Sequence, residues 1–206
     1  MIAYVESNFI LEIALEQEQF SSAEAILGLA ESAKIELAFP SFALSEPFAT
    51  VMHRDRERSV LHQSLTVTLR QLQRSEPHRQ TVQNLQPLLV ILRDAAKGDF
   101  DQLHSTVARL FKIGTSIELD AFTLERAKNY QGQFGFKPQD SIIYSTVIAH
   151  MQRRSSVEAK CFLSRDKEAF STTPAIKSEL ASYNCRYIGD FTYGLSYIQH
   201  TLQKTE

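Results

Sequence analysis

The chain has little glycine and little cysteine. Seven glycines among 206 residues form no Gly-rich loop, so a phosphate cradle of the GxxxxGK[ST] or GxGxxG kind is not expected. Cys161 and Cys185 lack CxxC or Cys/His spacing, and the six histidines show no paired spacing, so a zinc site is not expected either. Two buried, reduced thiols are the favoured interpretation, and they favour a cytoplasmic location.

Long apolar runs are also missing. The longest aliphatic stretch, residues 88–92, is far shorter than the roughly 20 residues that a membrane-spanning helix needs. The first residues reach an acid at Glu6 without a basic segment before it, so we expect no signal peptide. The net charge is only −2, which excludes a basic field over the whole surface, and a nucleic-acid partner would need a local patch.

Short apolar runs alternate with helical patterns over most of the sequence. This alternation predicts a parallel sheet of about five strands covered by helices on both faces, a doubly wound, Rossmann-like α/β architecture. The predicted strands are Ile2–Val5, 35–39, 115–119, Lys160–Leu163 and Cys185–Ile188.

Several local signals predict where the helices begin and end. The segment 21–24 (SSAE) has the spacing of a capping box and predicts a helix start. Ser7 and Asn8 are good caps for the helix after the first strand, and Pro47 should kink or restart the helix that contains it. Leucines recur every three or four residues between about 53 and 113, which predicts amphipathic helices separated by turns at 75–77 and 97–99.

Acids follow the predicted strands. Glu6 follows the first strand directly, Glu46 lies in the first turns of the helix after the second strand, and Asp166 ends the turn after the fourth strand. Asp140 begins a helix behind Pro138, where the helix dipole favours an ionised carboxylate. Ligands of open α/β sheets bind at the carboxyl ends of the strands, so these four acids are expected to converge there. Such a cluster suits Mg²⁺ or Mn²⁺ and phosphoryl-transfer chemistry.

Four short segments place these acids in a recurring context: residues 3–10 (AYVESNFI), residues 39–41 (FPS) followed by Glu46, residues 136–143 (FKPQDSII) and residues 162–167 (FLSRDK). Together they resemble the PIN-domain nucleases. The resemblance implies a three-layer α/β/α PIN fold with a parallel sheet of about five strands. It also implies a single PIN-like domain over residues 1–206 with an all-helical insertion at about 53–113.

The resemblance further implies an activity and its residues. Glu6, Glu46, Asp140 and Asp166 would be the catalytic, metal-binding acids, with Asn8 and Ser164 as supporting polar residues. The cofactor would be Mg²⁺ or Mn²⁺ and the substrate RNA. The activity would be metal-dependent endoribonuclease cleavage, often that of the toxin in a toxin–antitoxin pair, with an antitoxin as protein partner.

Alternatives remain open at this point. The family carries Asp where this chain has Glu6, and together with the large insertion this allows a catalytically inactive PIN-like scaffold that binds RNA or a protein through the insertion. A metal-carboxylate phosphatase is weaker, because no Asp-x-Asp motif follows the first strand. The leucine rows are expected to be core or helix-pair packing first, and a homodimer or partner surface second.

Basic residues could supply phosphate contacts. The run 53–58 (HRDRER) could form a local patch, although its interleaved acids favour a solvated helix face. Arg153, Arg154 and Arg165 are expected nearer the cleft and are the better candidates for contacts with an RNA backbone.

Overall fold

One sheet of five parallel strands organises the chain, with the strand order β3-β2-β1-β4-β5. The computed structural model describes residues 1–170 and 173–204, and only the backbone of Ala96. The strands are β1 Ile2–Val5, β2 Glu36–Pro40, β3 Thr115–Ile117, β4 Lys160–Leu163 and β5 Cys185–Ile188. The predicted parallel sheet is therefore confirmed, with both ends of β2 one residue later and the end of β3 two residues earlier than expected.

Helices connect consecutive strands and cover the sheet. They are α1 Ser7–Ala14, α2 Phe20–Glu31, α3 Ser45–Leu72, α4 Arg79–Asn84, α5 Gln86–Ile113, α6 Ala121–Phe134, α7 Pro138–Gln152, α8 Lys167–Phe170, α9 Pro174–Ser182 and α10 Phe191–Gln203, with 3₁₀ turns at Ser41–Leu44 and Glu76–His78. Within residues 1–170 and 173–204, no helix has both the length and the apolar composition needed to span a bilayer.

The two faces of the sheet bury two separate apolar cores. Side chains alternate along β1, so Ala3 and Val5 pack into one core, whereas Ile2 and Tyr4 pack into the other. The first core is completed by residues of α1, α2, α5 and α10, and the second by residues of α6, α7 and α9. The chain is therefore a three-layer α/β/α structure.

The helices α3 and α5 form a long antiparallel arm. Each has 28 residues, which is roughly 42 Å of helix. Val51 and Leu103 anchor the arm in the first core, and the Arg58 guanidinium donates to the Asp99 carboxylate at 2.5 Å between the two helices. The predicted turn at 97–99 is wrong because α5 passes through it. The Asp99 ion pair and the packing of Leu103 hold this stretch helical despite the roughly 1 kcal/mol helix cost of Gly98.

The starts of α2 and α3 can be compared with the sequence predictions. The capping box predicted at 21–24 is wrong, because α2 begins at Phe20 without a side-chain cap. Ser22 Oγ instead hydrogen-bonds with Thr192 Oγ1, and Glu24 is the acceptor for Arg109 from α5. The sequence predicts that Pro47 either kinks or restarts its helix, and the structure shows a restart. A 3₁₀ turn ends at Leu44, α3 begins at Ser45, and Pro47 lies in its first turn, where a missing N–H costs little.

Gly114 provides a test of the packing between α5 and β2. A Cβ built there would lie 2.9 Å from the Leu110 carbonyl oxygen and 3.2 Å from that of Leu37, contacts that backbone cannot relieve easily. We expect Gly114→Ala to lower the free energy of unfolding by about 1–3 kcal/mol. Gly28→Ala is the control, since a Cβ on this α2 residue meets nothing within 4 Å and should raise stability by up to about 1 kcal/mol. Urea unfolding curves in which both variants shift the same way would contradict this packing.

Candidate functional site

A cleft of about 420 Å³ opens where the strands end. The four acids singled out from the sequence, Glu6, Glu46, Asp140 and Asp166, all line it together with Asn8. They come from four different places in the chain: the end of β1, the first turn of α3, the first turn of α7 and the turn between β4 and α8. The structure therefore brings these carboxylates to one cleft, whereas their catalytic and metal-binding roles stay predictions.

Glu6 is the most enclosed of the four acids. It is 3% exposed and caps α1, because its Oε2 accepts the Asn8 amide hydrogen at 3.0 Å. The expectation that Ser7 or Asn8 caps this helix is therefore wrong, since both residues lie inside its first turn. The other oxygen of Glu6, Oε1, is buried and has no hydrogen-bond partner in the described part of the chain.

The enclosure of Glu6 changes its ionisation. Burial raises the pKa of its carboxyl group to about 7, and the Asn8 amide and the nearby polar groups of Ser164 and Ser7 only partly offset this effect. Because no donor compensates the buried Oε1, ionising the Glu6 carboxyl group is unfavourable in free energy. A cation beside it would remove that cost.

Glu46 is held by two donors, one from α1 and one from α7. Ser7 Oγ donates to its Oε2 at 2.6 Å, and Gln139 Nε2 donates to the same oxygen at 2.9 Å. These bonds tie the start of α3 to α1 and α7. The first turn of α3 therefore presents Glu46 towards the cleft although Pro47 follows it directly.

Asp140 lies close to the other acids. Pro138 occupies the first position of α7, and Asp140 follows in its first turn, half-buried. Burial raises the pKa of Asp140, the charge of Asp166 raises it further, Lys137 lowers it and Glu46 raises it. Asp166 and Glu46 thus both lie close enough to Asp140 for their charges to oppose its ionisation.

Asp166 and Ser164 form the turn after β4. Asp166 Oδ1 accepts the Ala169 amide hydrogen at 2.9 Å, and the Asp166 amide donates to Ser164 Oγ at 3.1 Å. Ser164 is fully buried, and its carbonyl oxygen accepts the Tyr187 hydroxyl hydrogen at 2.7 Å. Ser164 thus supports the turn that presents Asp166 and does not itself line the cleft.

The cleft offers carboxylate oxygens, the type of donor that a hard divalent metal needs. Among residues 1–170 and 173–204, no group of three or more His, Cys, Asp or Glu side chains has the arrangement of a metal-binding site. Mg²⁺ usually keeps several waters and is bound through one or two carboxylates together with substrate phosphates. The unpartnered Glu6 oxygen and the mutually repelling Asp140 and Asp166 fit that requirement, with oxygen donors that suit a hard cation.

Acids already engage the three arginines that the sequence singles out, although Arg165 lies next to the cleft residue Asp166. Arg165 is held by two acids, since its guanidinium donates to Glu12 at 2.6 Å and to Glu18 at 3.0 Å. Arg154 pairs with Glu36, at the amino end of β2 and therefore at the opposite edge of the sheet from the cleft. Arg153 lies 3.6 Å from Asp120. These arginines were singled out by their sequence position, which does not show that acids already engage them.

Two cleft residues were missed by sequence reasoning. Lys137 is exposed and lines the cleft, and Gln139 holds Glu46. Both flank Pro138 in the FKPQD segment, so the signal lay beside Asp140. Only the folded chain shows that Lys137 is the cation whose charge acts on Asp140.

Comparison with known proteins adds little to this geometry. No family model matches the chain, and no curated protein matches it. Among solved structures, it is similar to the crystal structure of VapBC2 from Rickettsia felis bound to a DNA fragment from their promoter. The identity is 13%, the similarity covers 91% of this chain and 98% of that chain, and the TM-score of 0.44 is too low to argue from.

Glu6 makes stability depend on pH. The folded-state pKa of Glu6, about 7, lies above the ordinary value of 4.5. Folding therefore favours the protonated carboxyl group, and this stabilisation is fully present below about pH 4.5 and is lost as the pH rises through 7. Glu6→Gln stays neutral and keeps an acceptor for the Asn8 amide. In EDTA at about pH 8, we expect this variant to exceed the wild type in free energy of unfolding by about 3 kcal/mol.

The advantage of Glu6→Gln should disappear at about pH 4.5, where both side chains are neutral in the folded protein. Urea unfolding at the two pH values measures it, with the exposed Glu118→Gln as a control that should show no such dependence. A Glu6→Gln effect of the same size at both pH values would contradict the raised pKa.

Proposed function

We propose that the chain is a divalent-metal-dependent endoribonuclease of the PIN type and that the acidic cleft is its active site. The observation that carries the proposal is the convergence of Glu6, Glu46, Asp140 and Asp166 on one cleft at the carboxyl edge of a parallel sheet. The buried Glu6 oxygen without a partner supports it, because a bound cation would compensate that group. The resemblance of the four acid-bearing segments to PIN-domain nucleases supplies the reaction type.

Glu6, Asp140 and Asp166 would hold Mg²⁺ or Mn²⁺, and Glu46 would complete the acidic wall. When bound, such an ion neutralises charge on the scissile phosphate and lowers the pKa of a water molecule. The chain's own residues have positioning tasks. Asn8 offers an amide to the cleft, Ser7 and Gln139 fix Glu46, and the Ser164 turn fixes Asp166.

The biological setting belongs to the same proposal. The PIN resemblance implies the toxin of a toxin–antitoxin pair, acting on RNA in the cytoplasm and restrained by an antitoxin. Expression of the chain alone should then arrest growth of a bacterial host, whereas Asp140→Asn should not.

A second candidate is an inactive scaffold that binds RNA or a protein, or pairs with a second copy, through the α3–α5 arm. It is favoured by apolar side chains that the arm leaves exposed, among them Val60, Val67 and Ile91 at 63%, 56% and 61%. Glu6 in place of the family's Asp is the second observation in its favour. The two candidates differ in whether the cleft needs a metal.

RNA cleavage separates these candidates. A pool of single-stranded and structured RNA should be cut in Mn²⁺ or Mg²⁺, and cutting should stop in EDTA. We expect Asp140→Asn to lower the rate at least about 100-fold, since charge stabilisation by a metal contributes several kcal/mol. Asp94→Asn, on the exposed arm beside Arg93, is the control and should cut at the wild-type rate.

Two results would count against the nuclease. Cutting that persists in EDTA or in Asp140→Asn would point to a contaminating activity. A folded wild type that neither cuts the pool nor binds Mn²⁺ would favour the scaffold.

A further inference from the structure

Two open grooves continue the acidic cleft along α3. One, of about 540 Å³, shares Glu46 and Gln139 with the cleft and is lined further along by Thr50 and Arg54. The other, of about 770 Å³, shares Asn8 with the cleft and also reaches Arg54. Arg54 therefore borders both routes out of the cleft. The first of these grooves, whose lining includes Phe42, Glu46, Thr50, Arg54, Glu57 and Gln139, is called the α3 groove below.

Helical spacing places Arg54 in line with the cleft. Glu46, Thr50 and Arg54 are four residues apart, so they share one face of α3. Eight residues of helix separate Glu46 from Arg54, a rise of roughly 12 Å. A long arginine side chain at that position can reach a ligand that extends out of the cleft along the helix.

Arg54 also has a free charge. Its guanidinium has no ion-pair or hydrogen-bond partner within residues 1–170 and 173–204. Arg58, one turn later on α3, is neutralised by Asp99, and Arg165 across the second groove is held by Glu12 and Glu18. In the α3 groove, Glu57 lies 3.3 Å from His53 and not in a pair with Arg54. Arg54 thus remains available for an anionic ligand.

Phe42 gives the groove an aromatic wall. Its ring is half-buried, packed on one side against the second core, and it lines the α3 groove on the other. A cationic group and an exposed aromatic surface in one groove are typical of sites for single-stranded nucleic acid, where phosphates contact the cation and unpaired bases stack on the ring.

We propose that the α3 groove binds the single-stranded RNA segment next to the bond that is cut. Arg54 contacts a backbone phosphate and Phe42 stacks against an unpaired base. The inference rests on the proposed function for the identity of the polymer. It adds a substrate-binding site that the acidic cleft alone does not provide.

Binding can be measured without cleavage. A fluorescein-labelled single-stranded RNA of about 12 nucleotides is titrated with the protein in EDTA, and Kd is read from fluorescence anisotropy at several salt concentrations. Arg54→Gln should weaken binding about 5- to 10-fold at low salt and reduce the slope of log K against log salt by about 0.7, the value for one lost phosphate contact.

Matched variants identify the groove. Arg56→Gln removes the same charge from an exposed position of α3 outside the grooves, so its Kd should stay within about twofold of the wild type. Phe42→Leu keeps apolar volume for the core and loses the ring, and it should weaken binding about 5-fold or more without changing the salt slope. Urea unfolding of Arg54→Gln should match that of the wild type.

The outcomes separate this inference from the proposed function. Equal effects of Arg54→Gln and Arg56→Gln, or no RNA binding by the wild type, would overturn the groove even if Mn²⁺-dependent cutting were intact. If the wild type does not cut RNA but Arg54→Gln alone weakens binding, the groove stands and the nuclease proposal fails.

Discussion

The buried carboxylate of Glu6 is the constraint on which the site depends. One of its oxygens fixes the first turn of α1 to the end of β1, and the other is enclosed without a donor. The Glu6 carboxyl group is therefore buried at the end of the central strand, where a negative charge is unfavourable, and its pKa rises to about 7. Stability is lost at this position at neutral pH unless a cation compensates the carboxylate.

The rest of the cleft follows from the parallel sheet. Strands β1 and β4 are neighbours, so Glu6 and Asp166, which follow them, reach the same edge of the sheet and line one cleft. Strand β2 pairs with the other edge of β1 and leads through a 3₁₀ turn to α3, whose first turn carries Glu46. Asp140 arrives on the helix that precedes β4. The same helix α3 that presents Glu46 continues into the arm, so cleft and groove are built on one rigid element.

The sequence predicted what local patterns encode. Glu6 directly follows an apolar run and Asp166 ends the short turn after another, so their edge of the sheet could be inferred, and Pro138 marked the helix start beside Asp140. Tertiary contacts decided the rest. Gly98 lies inside a helix because its neighbour Asp99 pairs with Arg58 of α3, and Arg165 is neutralised by Glu12, a residue distant in sequence. Arg54 looked like one charge in a mixed run, and only its lack of a described partner distinguishes it from Arg58.

We propose that the cleft binds a divalent metal through Glu6, Asp140 and Asp166, and locating the ion directly tests this proposal. Crystals grown with Mn²⁺ would be measured at the manganese absorption edge. We predict an anomalous peak in the cleft, within about 2.0–2.5 Å of an oxygen of Glu6, Asp140 or Asp166, and its loss in Asp140→Asn crystals. A cleft without such a peak at saturating Mn²⁺, or a peak bound only to surface acids, would contradict the claim.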